Sequence, residues 1–466
     1  MKKYTKQKVC IQGLGFVGSA MAIAVSNAKC DKKQYCFDVV GIDLKSSIGT
    51  KRINALNAGI FPFSNTDPKL DRYLKKALKN KNFRASSDNS EYKKAEIIVV
   101  DIHLDIPFQN NEPKLELDGF KKAINTIGNN IKEDCLVIIE TTVPPGTCSK
   151  VVLPILRECF KKRGLDGEKI KLAHSYERVM PGEKYYDSII NFWRVYSGIN
   201  EESALACEKF LSKVINTKKY PLTKLSSPLA SETSKLLENT YRTVNIAFIA
   251  EWTRYAEKVG IDLFEVIQAI QRRPTHKNIR FPGIGIGGYC LTKDPAFTPA
   301  ASRELLNQNL DFPFSKLAMH ESSKMPLHAV FRMKELLGGN FLNKNILICG
   351  VSYRENIGDT RFSPSELIFR EIKKEGANID CHDPLVSYWD ELKIMVKNVL
   401  PKAESYDGII FTVPHKQYKT LNLSKWISTN RNVVVLDGFM VWNKKKRDKF
   451  RCDGIKLECI GVGDGL

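Results

Sequence analysis

The sequence predicts an α/β protein with two Rossmann-like, doubly wound domains joined by a long central helix and a helical region. Apolar, strand-like runs alternate with helical segments near the N-terminus, and the same alternation restarts at residue 345. Residues 231–259 form a helical stretch without glycine or proline. That stretch is longer than an ordinary crossover helix, so we expect a central spine or a dimerisation element.

A chain of 466 residues has room for about two to four domains, each with its own core. The alternation of strands and helices stops before the long helical stretch and restarts after it. We therefore expect a Rossmann domain at residues 1–215, a central helical and dimerisation domain at 216–325, and a second Rossmann-like domain at 326–466.

The N-terminal segment has the pattern of a dinucleotide-binding turn. A short strand at 8–12 leads into the GxGxxG turn at 13–18, and residues 19–28 have helical periodicity. The glycines permit a tight turn, and they let a pyrophosphate approach the N-terminus of the helix. A second strand ends in Asp43, whose carboxylate would bind ribose hydroxyls and repel a phosphate, so the expected cofactor is NAD. The cofactor-binding residues predicted here are Gly13, Gly15, Phe16, Val17, Gly18 and Asp43.

The charge balance is strongly basic, with 72 basic and 52 acidic residues and a formal net charge of +20. A nucleic-acid binder is one interpretation. However, the basic residues are spread along the chain, and no zinc-finger spacing or stacking-aromatic motif accompanies them. We interpret the charge as suited to anionic small molecules such as nucleotides, and we expect no nucleic-acid partner and no metal site.

The twelve cysteines are scattered and include no CxxC pair, which is typical of reduced thiols in a cytoplasmic protein. The apolar stretch that ends at Val25 superficially resembles a secretory signal. Glycines interrupt it and no small-residue cleavage site follows, so a strand, turn and helix explain it better. No other segment reaches membrane-spanning length, and we expect no membrane association.

Residues 283–294, GIGIGGYCLTKD, contain a run of glycines that ends in Cys290. Glycines let the backbone approach a ligand closely. A thiol on such a loop, with Lys293 and Asp294 nearby, could have a depressed pKa and act as a nucleophile. A small buried structural cysteine is the alternative.

Two further groups could serve an enzyme. Lys235 and Asn239 lie four residues apart on the predicted spine, so they share one helix face and could both donate to an oxyanion. A solvated lysine beside an unrelated polar residue is the alternative. Glu177, in the segment HSYER, could be a general base or part of an ordinary surface.

Together these segments resemble the UDP-glucose/GDP-mannose dehydrogenase family, the NAD-dependent nucleotide-sugar 6-dehydrogenases. The resemblance covers almost the whole chain in the family's order. Its motifs are GLGFVG at 13–18 with Asp43, TTVPPG at 141–146, SYERVMPG at 175–182, KLLENTYRTVN at 235–245, GIGGYCLTKD at 285–294, and GVSYR at 350–354 with DTRFSP at 359–364.

The resemblance implies a four-electron oxidation of carbon 6 of a UDP-sugar in two hydride transfers to NAD, for synthesis of surface polysaccharide precursors. Cys290 would carry a thiohemiacetal and then a thioester, which water would release as a uronic acid. The two donors on the spine would stabilise oxyanions, and Glu177 would activate the water. The implied catalytic residues are Cys290, Lys235, Asn239, Glu177, Thr142 and Asp294.

The resemblance also implies the remaining contacts and a homodimer or higher homo-oligomer formed through the spine. Thr142, Lys293 and Arg361 would contact the cofactor. The implied substrate-binding residues are Glu177, Arg178, Lys235, Asn239, Arg280, Phe281, Gly283, Gly285, Gly287, Gly288, Tyr353 and Arg354.

The chain departs from the family's pattern at several positions. Residues 100–104 are Val-Asp-Ile-His-Leu where the family usually has Val-Pro-Thr-Pro. Tyr176 replaces the proline of Ser-Pro-Glu, and Tyr289 stands where relatives often carry serine or histidine. The Glu-Arg-x-x-Pro-Gly form favours a UDP-N-acetylhexosamine as substrate, whereas Lys293 followed by Asp294 favours UDP-glucose as the alternative.

Two other functions compete with this interpretation. Two-electron β-hydroxyacid dehydrogenases share the Rossmann domain, the helical spine and a Lys-x-x-x-Asn pair, but they lack the cysteine loop and the third domain. A non-catalytic nucleotide-binding protein would not need Cys290, Lys235 or Glu177, and the sequence contains all three.

Overall fold

The computed structural model describes residues 5–30, 34–63, 67–110, 112–427 and 432–463. The chain folds into two compact units. Unit 1 comprises Met1–Glu238 and Ala296–Asp311, and unit 2 comprises Asn239–Pro295 and Phe312–Leu466. The expected division into three domains stays a prediction.

Unit 1 is built mostly from the strand and helix alternation that its sequence predicts. Its strands are β1 Gln7–Gln12, β2 Phe37–Ile42, β3 Phe83–Ser86, β4 Ile97–Val100, β5 Phe108–Gln109, β6 Glu112–Pro113, β7 Leu136–Ile139, β8 Lys171–His174, β9 Val195–Gly198 and β10 Thr223–Lys224. Its helices are α1 Phe16–Asn27, α2 Ser47–Asn57, α3 Pro68–Lys79, α4 Asp118–Gly128, α5 Leu153–Lys162, α6 Tyr185–Ile190 and α7 Glu201–Val214. A π-helical turn at Cys148–Val152 precedes α5.

The main sheet of unit 1 has the strand order β10-β9-β8-β7-β4-β1-β2-β3. The strand order reverses between β1 and β4, which makes that crevice the topological switch point where such sheets bind ligands. The strands from β8 to β3 are parallel, whereas β9 runs antiparallel to β8. The start of β9 therefore lies at the same edge of the sheet as the carboxyl ends of β8, β7, β4 and β1.

The long helix α8 runs from Pro228 to Val259, which confirms the predicted spine. The helices that follow are α9 Leu263–Gln271, α10 Asp294–Glu304, α11 Pro313–Leu336, α12 Pro364–Lys374, α13 Lys416–Thr420, α14 Leu423–Trp426 and α15 Lys444–Cys452. Within the described ranges, no helix is both long enough and apolar enough to cross a membrane.

Unit 2 contains a second parallel sheet, with the order β12-β11-β15-β16-β17. The remaining strands are β11 Asn345–Cys349, β12 Asn378–His382, β13 Tyr388–Trp389, β14 Ile394–Met395, β15 Gly408–Phe411, β16 Val434–Asp437 and β17 Lys456–Cys459. The order reverses between β11 and β15, which repeats the arrangement around β1 in unit 1. The two Rossmann-like sheets and the long helix confirm the predicted fold class.

Short apolar runs form the central strands because both faces of each sheet are covered. All of Ile97–Val100, Leu136–Ile139 and Val434–Asp437 is buried, for example. Helices begin where the sequence supplies a cap. The Asp67 side chain accepts the Lys69 N–H at the start of α3, and the Asn200 side chain accepts the Ser203 N–H at the start of α7.

One expectation about the cysteines is wrong. The scattered spacing predicts reduced thiols, but a disulfide joins Cys30 and Cys36. Backbone hydrogen bonds bring the two residues together, because the Cys30 N–H donates to Gln34 and the Cys36 N–H donates to Ala28. The pairing arises from this local reversal of the chain, which CxxC spacing does not reveal.

Candidate active-site residues

The predicted dinucleotide turn lies at the switch point of unit 1, between β1 and α1. Gly13 has φ +94°, and a Cβ there would lie 2.5 Å from the Asp101 carbonyl oxygen. A Cβ on Gly18 would lie 1.9 Å from the Gly13 carbonyl oxygen. The fold itself therefore requires these two glycines. Gly15 differs, since a Cβ there would meet no atom of the described residues within 4 Å, and its missing side chain leaves room for a ligand.

Asp43 follows β2, beside the turn. Its carboxylate accepts the Leu44 N–H at 2.8 Å and the Arg52 guanidinium at 3.3 Å. Arg52 also lies over the ring of Phe63, which stacks on Phe16 at a centroid distance of 4.0 Å. Arg52 and Phe63 are thus part of the Asp43 surroundings, although sequence reasoning missed them.

Lys235 and Glu177 meet in unit 1. The Lys235 ammonium donates to the Glu177 carbonyl oxygen at 2.7 Å and lies 3.8 Å from the Glu177 carboxylate. It also lies over the ring of Tyr176, 5.4 Å from the centroid. Lys235 is buried, which excludes the alternative of an ordinary solvated lysine.

Arg178, predicted to bind substrate, is held by protein groups. Its guanidinium donates to the Glu238 carboxylate at 3.0 Å, to the Tyr176 hydroxyl at 3.0 Å and to the Trp193 carbonyl at 2.8 Å. The Tyr176 hydroxyl also bonds to Ser234 at 2.9 Å. The tyrosine that replaces the family's proline therefore connects Arg178 to helix α8.

Thr142 is partly exposed on the loop after β7. Glu232 holds the far side of this loop, because its buried carboxylate accepts the N–H groups of Gly146 at 2.6 Å and Cys148 at 2.8 Å. Burial raises the pKa of Glu232 to about 7, although both hydrogen bonds act to lower it. Glu232 lies one helical turn before Lys235, and that spacing was the only signal that could have identified it.

In unit 2, Cys290 lies on the loop before α10, and its thiol is exposed. Most other free cysteines are buried, and burial raises the pKa of Cys10 and of Cys135 to about 12. The Cys290 carbonyl accepts the N–H groups of Lys293 and Asp294, so the chain turns immediately into the helix. The alternative of a buried structural cysteine is wrong for this position.

Asp294 is buried at the start of α10 and organises two predicted residues. Its carboxylate accepts a hydrogen bond from the Asn239 amide at 2.7 Å and one from the Lys293 ammonium at 2.9 Å. Lys293 also lies over the ring of Tyr289, 4.8 Å from its centroid. Asn239, Lys293 and Asp294 therefore form one cluster, in which the Lys293 ammonium pairs with the Asp294 carboxylate.

Arg361 and Tyr353 lie near the same loop. Two nitrogens of the Arg361 guanidinium bond to the Asp359 carboxylate at 2.9 and 2.7 Å, and the group lies 5.7 Å from the Tyr289 ring centroid. Burial, then the charges of Asp359 and Cys290, raise the pKa of Tyr353 to about 12. The Tyr353 phenol is therefore neutral near pH 7.

The glycine run packs against protein side chains. A Cβ on Gly288, which has φ +81°, would lie 2.5 Å from the Tyr353 ring, and one on Gly283 would lie 2.3 Å from the Phe439 ring. Gly285 approaches Pro326, and Gly287 approaches Pro364. The predicted contact of these glycines with the UDP moiety stays a prediction.

The remaining predicted substrate residues lie nearer the surface of unit 2. Phe281 is partly exposed and stacks on Phe264 at 5.7 Å, Arg280 is half-buried, and Arg354 is exposed. The structure thus groups the predicted residues into two sets. Unit 1 contains the glycine turn beside Asp43 and a separate pair, Glu177 and Lys235. Unit 2 brings together Asn239, Cys290, Lys293, Asp294, Tyr353 and Arg361.

Comparison with known proteins identifies the family. The sequence matches three models of the UDP-glucose/GDP-mannose dehydrogenase family: the NAD binding domain at residues 7–216, the central domain at 230–319 and the UDP binding domain at 347–444. The chain belongs to this family. It is an NAD-dependent nucleotide-sugar dehydrogenase, which confirms the predicted family, enzyme class and cofactor.

Individual relatives match over nearly their whole length. The chain is 28% identical to the UDP-N-acetyl-D-mannosamine dehydrogenase of Methanocaldococcus jannaschii, over 98% of this chain and 97% of the relative. A solved UDP-D-ManNAc dehydrogenase from Pyrococcus horikoshii superposes with a TM-score of 0.82 at 26% identity, covering 98% of this chain and all of that one. A UDP-glucose 6-dehydrogenase of Rickettsia conorii is 25% identical, over 83% of this chain and 87% of the relative.

The NAD cofactor of this dehydrogenase family fits the turn of unit 1. No side chain caps the N-terminus of α1, and its first turn contains no acidic residue. Its N–H groups and the space beside Gly15 suit the diphosphate, and the Asp43 carboxylate suits the ribose hydroxyls. When bound, NAD supplies the acceptor for a hydride from the sugar carbon.

Proposed function

We propose that this dehydrogenase oxidises carbon 6 of a UDP-N-acetylhexosamine to the carboxylate, in two steps that use Cys290 as a covalent nucleophile. The observation that carries this proposal is the exposed Cys290 thiol, on a turn that leads directly to the buried Asp294. A two-electron dehydrogenase needs no nucleophile, whereas an aldehyde must be held covalently or hydrated before it can lose a second hydride.

Lys235 is the proposed donor to the oxygen on carbon 6. Its ammonium is buried beside Glu177 and the Tyr176 ring, where a positive charge stabilises an oxyanion more strongly than in water. Removing one such donor typically costs about 3–4 kcal/mol in transition-state stabilisation. Glu177, next to this ammonium, is the proposed base for the hydrolytic water, and Thr142 is a proposed positioning residue for polar groups.

Asn239 and Asp294 are the proposed supports of the cysteine step. Asp294 fixes the Asn239 amide through the 2.7 Å hydrogen bond, which leaves the second amide hydrogen available for an oxyanion. The thiolate adds to the aldehyde, a carbon–sulfur bond forms, and the oxygen becomes an oxyanion. Transfer of the hydride from carbon 6 to a second NAD leaves a thioester, and water then adds to the carbonyl carbon and breaks the carbon–sulfur bond, releasing the carboxylate and restoring the thiol.

The proposed sugar rests on the relatives. Those in M. jannaschii and P. horikoshii are named UDP-N-acetyl-D-mannosamine dehydrogenases, and the Glu-Arg-x-x-Pro-Gly segment at 177–182 favours the same class of substrate. UDP-glucose is the second candidate, because the relative in R. conorii carries that name and Lys293 precedes Asp294.

A panel of UDP-sugars tests the substrate and the stoichiometry together. We expect two NADH per sugar consumed with one UDP-N-acetylhexosamine and a slower or absent reaction with UDP-glucose. A preference for UDP-glucose would change only the proposed sugar and would leave the four-electron reaction unchanged. One NADH per sugar, with an alcohol oxidised only to a carbonyl, would contradict the four-electron reaction.

A matched pair of cysteine variants tests the covalent step. Cys290→Ser should bind NAD and sugar normally and lose at least about a thousandfold in acid formation, because a hydroxyl is a far weaker nucleophile at neutral pH. Cys452, the other exposed free cysteine among the described residues, provides the control, and Cys452→Ser should be fully active. Normal turnover by Cys290→Ser would remove Cys290 from the chemistry.

We also propose a cytoplasmic homodimer or higher homo-oligomer that supplies precursors for surface polysaccharide. A row of exposed aromatic side chains along α8 supports pairing with a second copy, since large apolar patches usually mark protein interfaces. The row consists of Tyr241, Phe248, Trp252 and Tyr255. Light scattering of the purified protein should give at least twice the chain mass, and a monomer mass at micromolar concentration would contradict the proposed oligomer.

A further inference from the structure

Asp101 lies directly at the switch point of unit 1. It follows β4, and its N–H donates to the Gln12 carbonyl at the end of β1. Its carbonyl oxygen is the atom that a Cβ on Gly13 would meet, and its own Cβ would lie 3.1 Å from one on Gly18. The Asp101 side chain therefore packs against the turn at which the diphosphate of NAD is expected.

The carboxyl of Asp101 belongs to a buried cluster at this edge of the sheet. Glu140 follows β7, and Arg194 precedes β9 and forms a buried ion pair with Glu140. Asp101 is only 8% exposed, and neither of its oxygens accepts a hydrogen bond from an N–H or hydroxyl donor of the described residues. Asp101 follows Val100 and Glu140 follows Ile139, and Val100 and Ile139 are register partners on parallel strands, so the two carboxyl groups extend from adjacent strand ends. Two buried carboxyl groups side by side repel each other when both are ionised, which favours a proton on one of them.

Electrostatics indicate which carboxyl holds that proton. Burial, then the charge of Glu140, raise the pKa of Asp101 well above its usual range. Burial also raises the pKa of Glu140, but the positive charge of Arg194 counteracts it. The other charged group that acts on both carboxyls is Glu177, whose negative charge further favours retention of the proton. Asp101, which has no cation paired with it among the described residues, is therefore the carboxyl that favours the proton, and Glu140 is the one that favours ionisation.

We propose that Asp101 is a positioning residue for the cofactor, and that NAD binds only while the Asp101 carboxyl carries its proton. The protonated Asp101 carboxyl packs against the glycine turn and adds no negative charge there. Loss of the proton places a second anion beside the site of the diphosphate, which repels the cofactor. A proton is therefore taken up or retained whenever NAD binds at alkaline pH.

The Asp101 carboxyl is a departure from the family's usual sequence. Asp101 stands within the segment at which the family usually has Val-Pro-Thr-Pro, and neither proline nor threonine can hold a titrating proton at that place. The inference rests on the family's NAD cofactor. It is independent of the proposed sugar and of the Cys290 step, since it concerns binding of NAD alone.

Calorimetric titration of the sugar-free enzyme with NAD between pH 6 and pH 10 tests the proposal. For the natural chain we expect the Kd to rise with pH, by up to about tenfold per pH unit once Asp101 titrates, and binding to take up protons in that range. Asp101→Asn is neutral and keeps a donor for Glu140. Its Kd for NAD should stay nearly constant from pH 6 to pH 10, whatever its affinity at pH 7.

Asp105→Asn is the matched control, because it removes an exposed carboxylate four residues away. Its pH profile should follow that of the natural chain. The proposal is overturned if the natural Kd is constant from pH 6 to 10, or if Asp101→Asn retains the natural pH dependence. Should Asp101→Asn fail to fold in a thermal melt, proton uptake by the natural chain, measured in buffers of different ionisation enthalpy, decides the question.

Discussion

The two Rossmann-like sheets share a topology, but the helices that follow their first strands, β1 and β11, begin differently. In unit 1 no described side chain caps the helix after the turn, and a Cβ on Gly15 would meet no described atom within 4 Å. In unit 2 the corresponding helix α12 is capped by Ser363 and begins with Pro364. The first arrangement leaves N–H groups for an anionic ligand, whereas the second satisfies them within the protein.

The acids after the second strands differ in the same sense. Asp43 follows β2 and Asp383 follows β12, at equivalent places in the two sheets. Asp43 remains partly exposed, whereas Asp383 is buried and accepts the N–H groups of Val351 and Leu385 together with a hydrogen bond from His415. The Asp383 carboxylate thus binds the N–H groups of the turn in unit 2. The same topology therefore does not by itself create a dinucleotide site.

Of the changes that test this contrast, a side chain at Gly15 should have the strongest effect. Gly15→Val adds a side chain that the backbone φ of −72° accepts and whose Cβ meets no atom of the described residues within 4 Å. We expect NAD affinity to fall about hundredfold, or roughly 3 kcal/mol, because the side chain competes with the diphosphate. Titration with NAD measures the loss, and a thermal melt should show little change.

Gly119→Val makes the same substitution at the start of α4, where a Cβ also meets nothing within 4 Å. It should leave NAD binding unchanged. If Gly119→Val weakened NAD binding as much as Gly15→Val, the loss would not be specific to the turn after β1. The proposed distinction between the two sheets would then lose its main support.

The next largest effect concerns the buried acid of unit 2. Burial acts to raise the pKa of Asp383, but the hydrogen bond from His415 and the backbone N–H donors outweigh it and lower the pKa. Asp383→Asn should reduce the free energy of unfolding by about 2 kcal/mol at pH 7, because buried N–H groups lose a charged acceptor. Urea denaturation at pH 7 measures this change.

The pH dependence of this effect has a defined sign. The Asp383 carboxylate stabilises the fold above the unfolded pKa of about 3.9, and its contribution is lost as the pH falls through the lower folded pKa. Natural chain and variant should therefore converge in acid. Asp43→Asn serves as the comparison. Its amide oxygen can still accept the Leu44 N–H and only the ion pair with Arg52 is lost, so we expect a stability change of less than about 1 kcal/mol at pH 7, together with weaker NAD binding. If Asp43→Asn cost as much stability as Asp383→Asn, the contrast between the two acids would be wrong.

The smallest expected effect is at Arg52, which pairs with Asp43 at 3.3 Å and is about one-third exposed. Its ion pair contributes at most about 1 kcal/mol. Because the guanidinium could otherwise pair with a 2′-phosphate, Arg52→Ala should weaken NADP binding by a few-fold and change NAD binding less. Separate titrations with the two dinucleotides measure the ratio of the affinities, and improved NADP binding would contradict this role.

Local patterns predicted much of the fold. Buried runs such as Ile97–Val100 identified the strands, and the long helix was predicted at 231–259 and observed at Pro228–Val259. The glycine turn and Asp43 predicted the cofactor because strand, turn and acid follow one another within one βαβ segment. The antiparallel direction of β9 was not predicted, since strand direction depends on how the connection returns to the sheet.

Residues brought together from distant segments were harder to predict. The sequence marked Asp101 only as a departure from the family's Val-Pro-Thr-Pro, and it contained no signal for Glu140 or Arg194. Only the shared edge of the sheet makes these three residues one charged cluster. The sequence also contained no signal that Glu238 pairs with Arg178, which the structure shows. Such pairs have no fixed spacing, so no sequence pattern could have identified them.

Sequence patterns identified the candidate groups of the family: a dinucleotide turn, a helix carrying Lys235 and Asn239, and a thiol at Cys290. These features are local, because the spacing along one turn, helix or loop sets which groups lie side by side. Burial and exposure followed only from folding. Folding buried Lys235 beside Glu177, left Cys290 exposed, and placed Asp101 next to Glu140, because such neighbours arise only when separate segments meet.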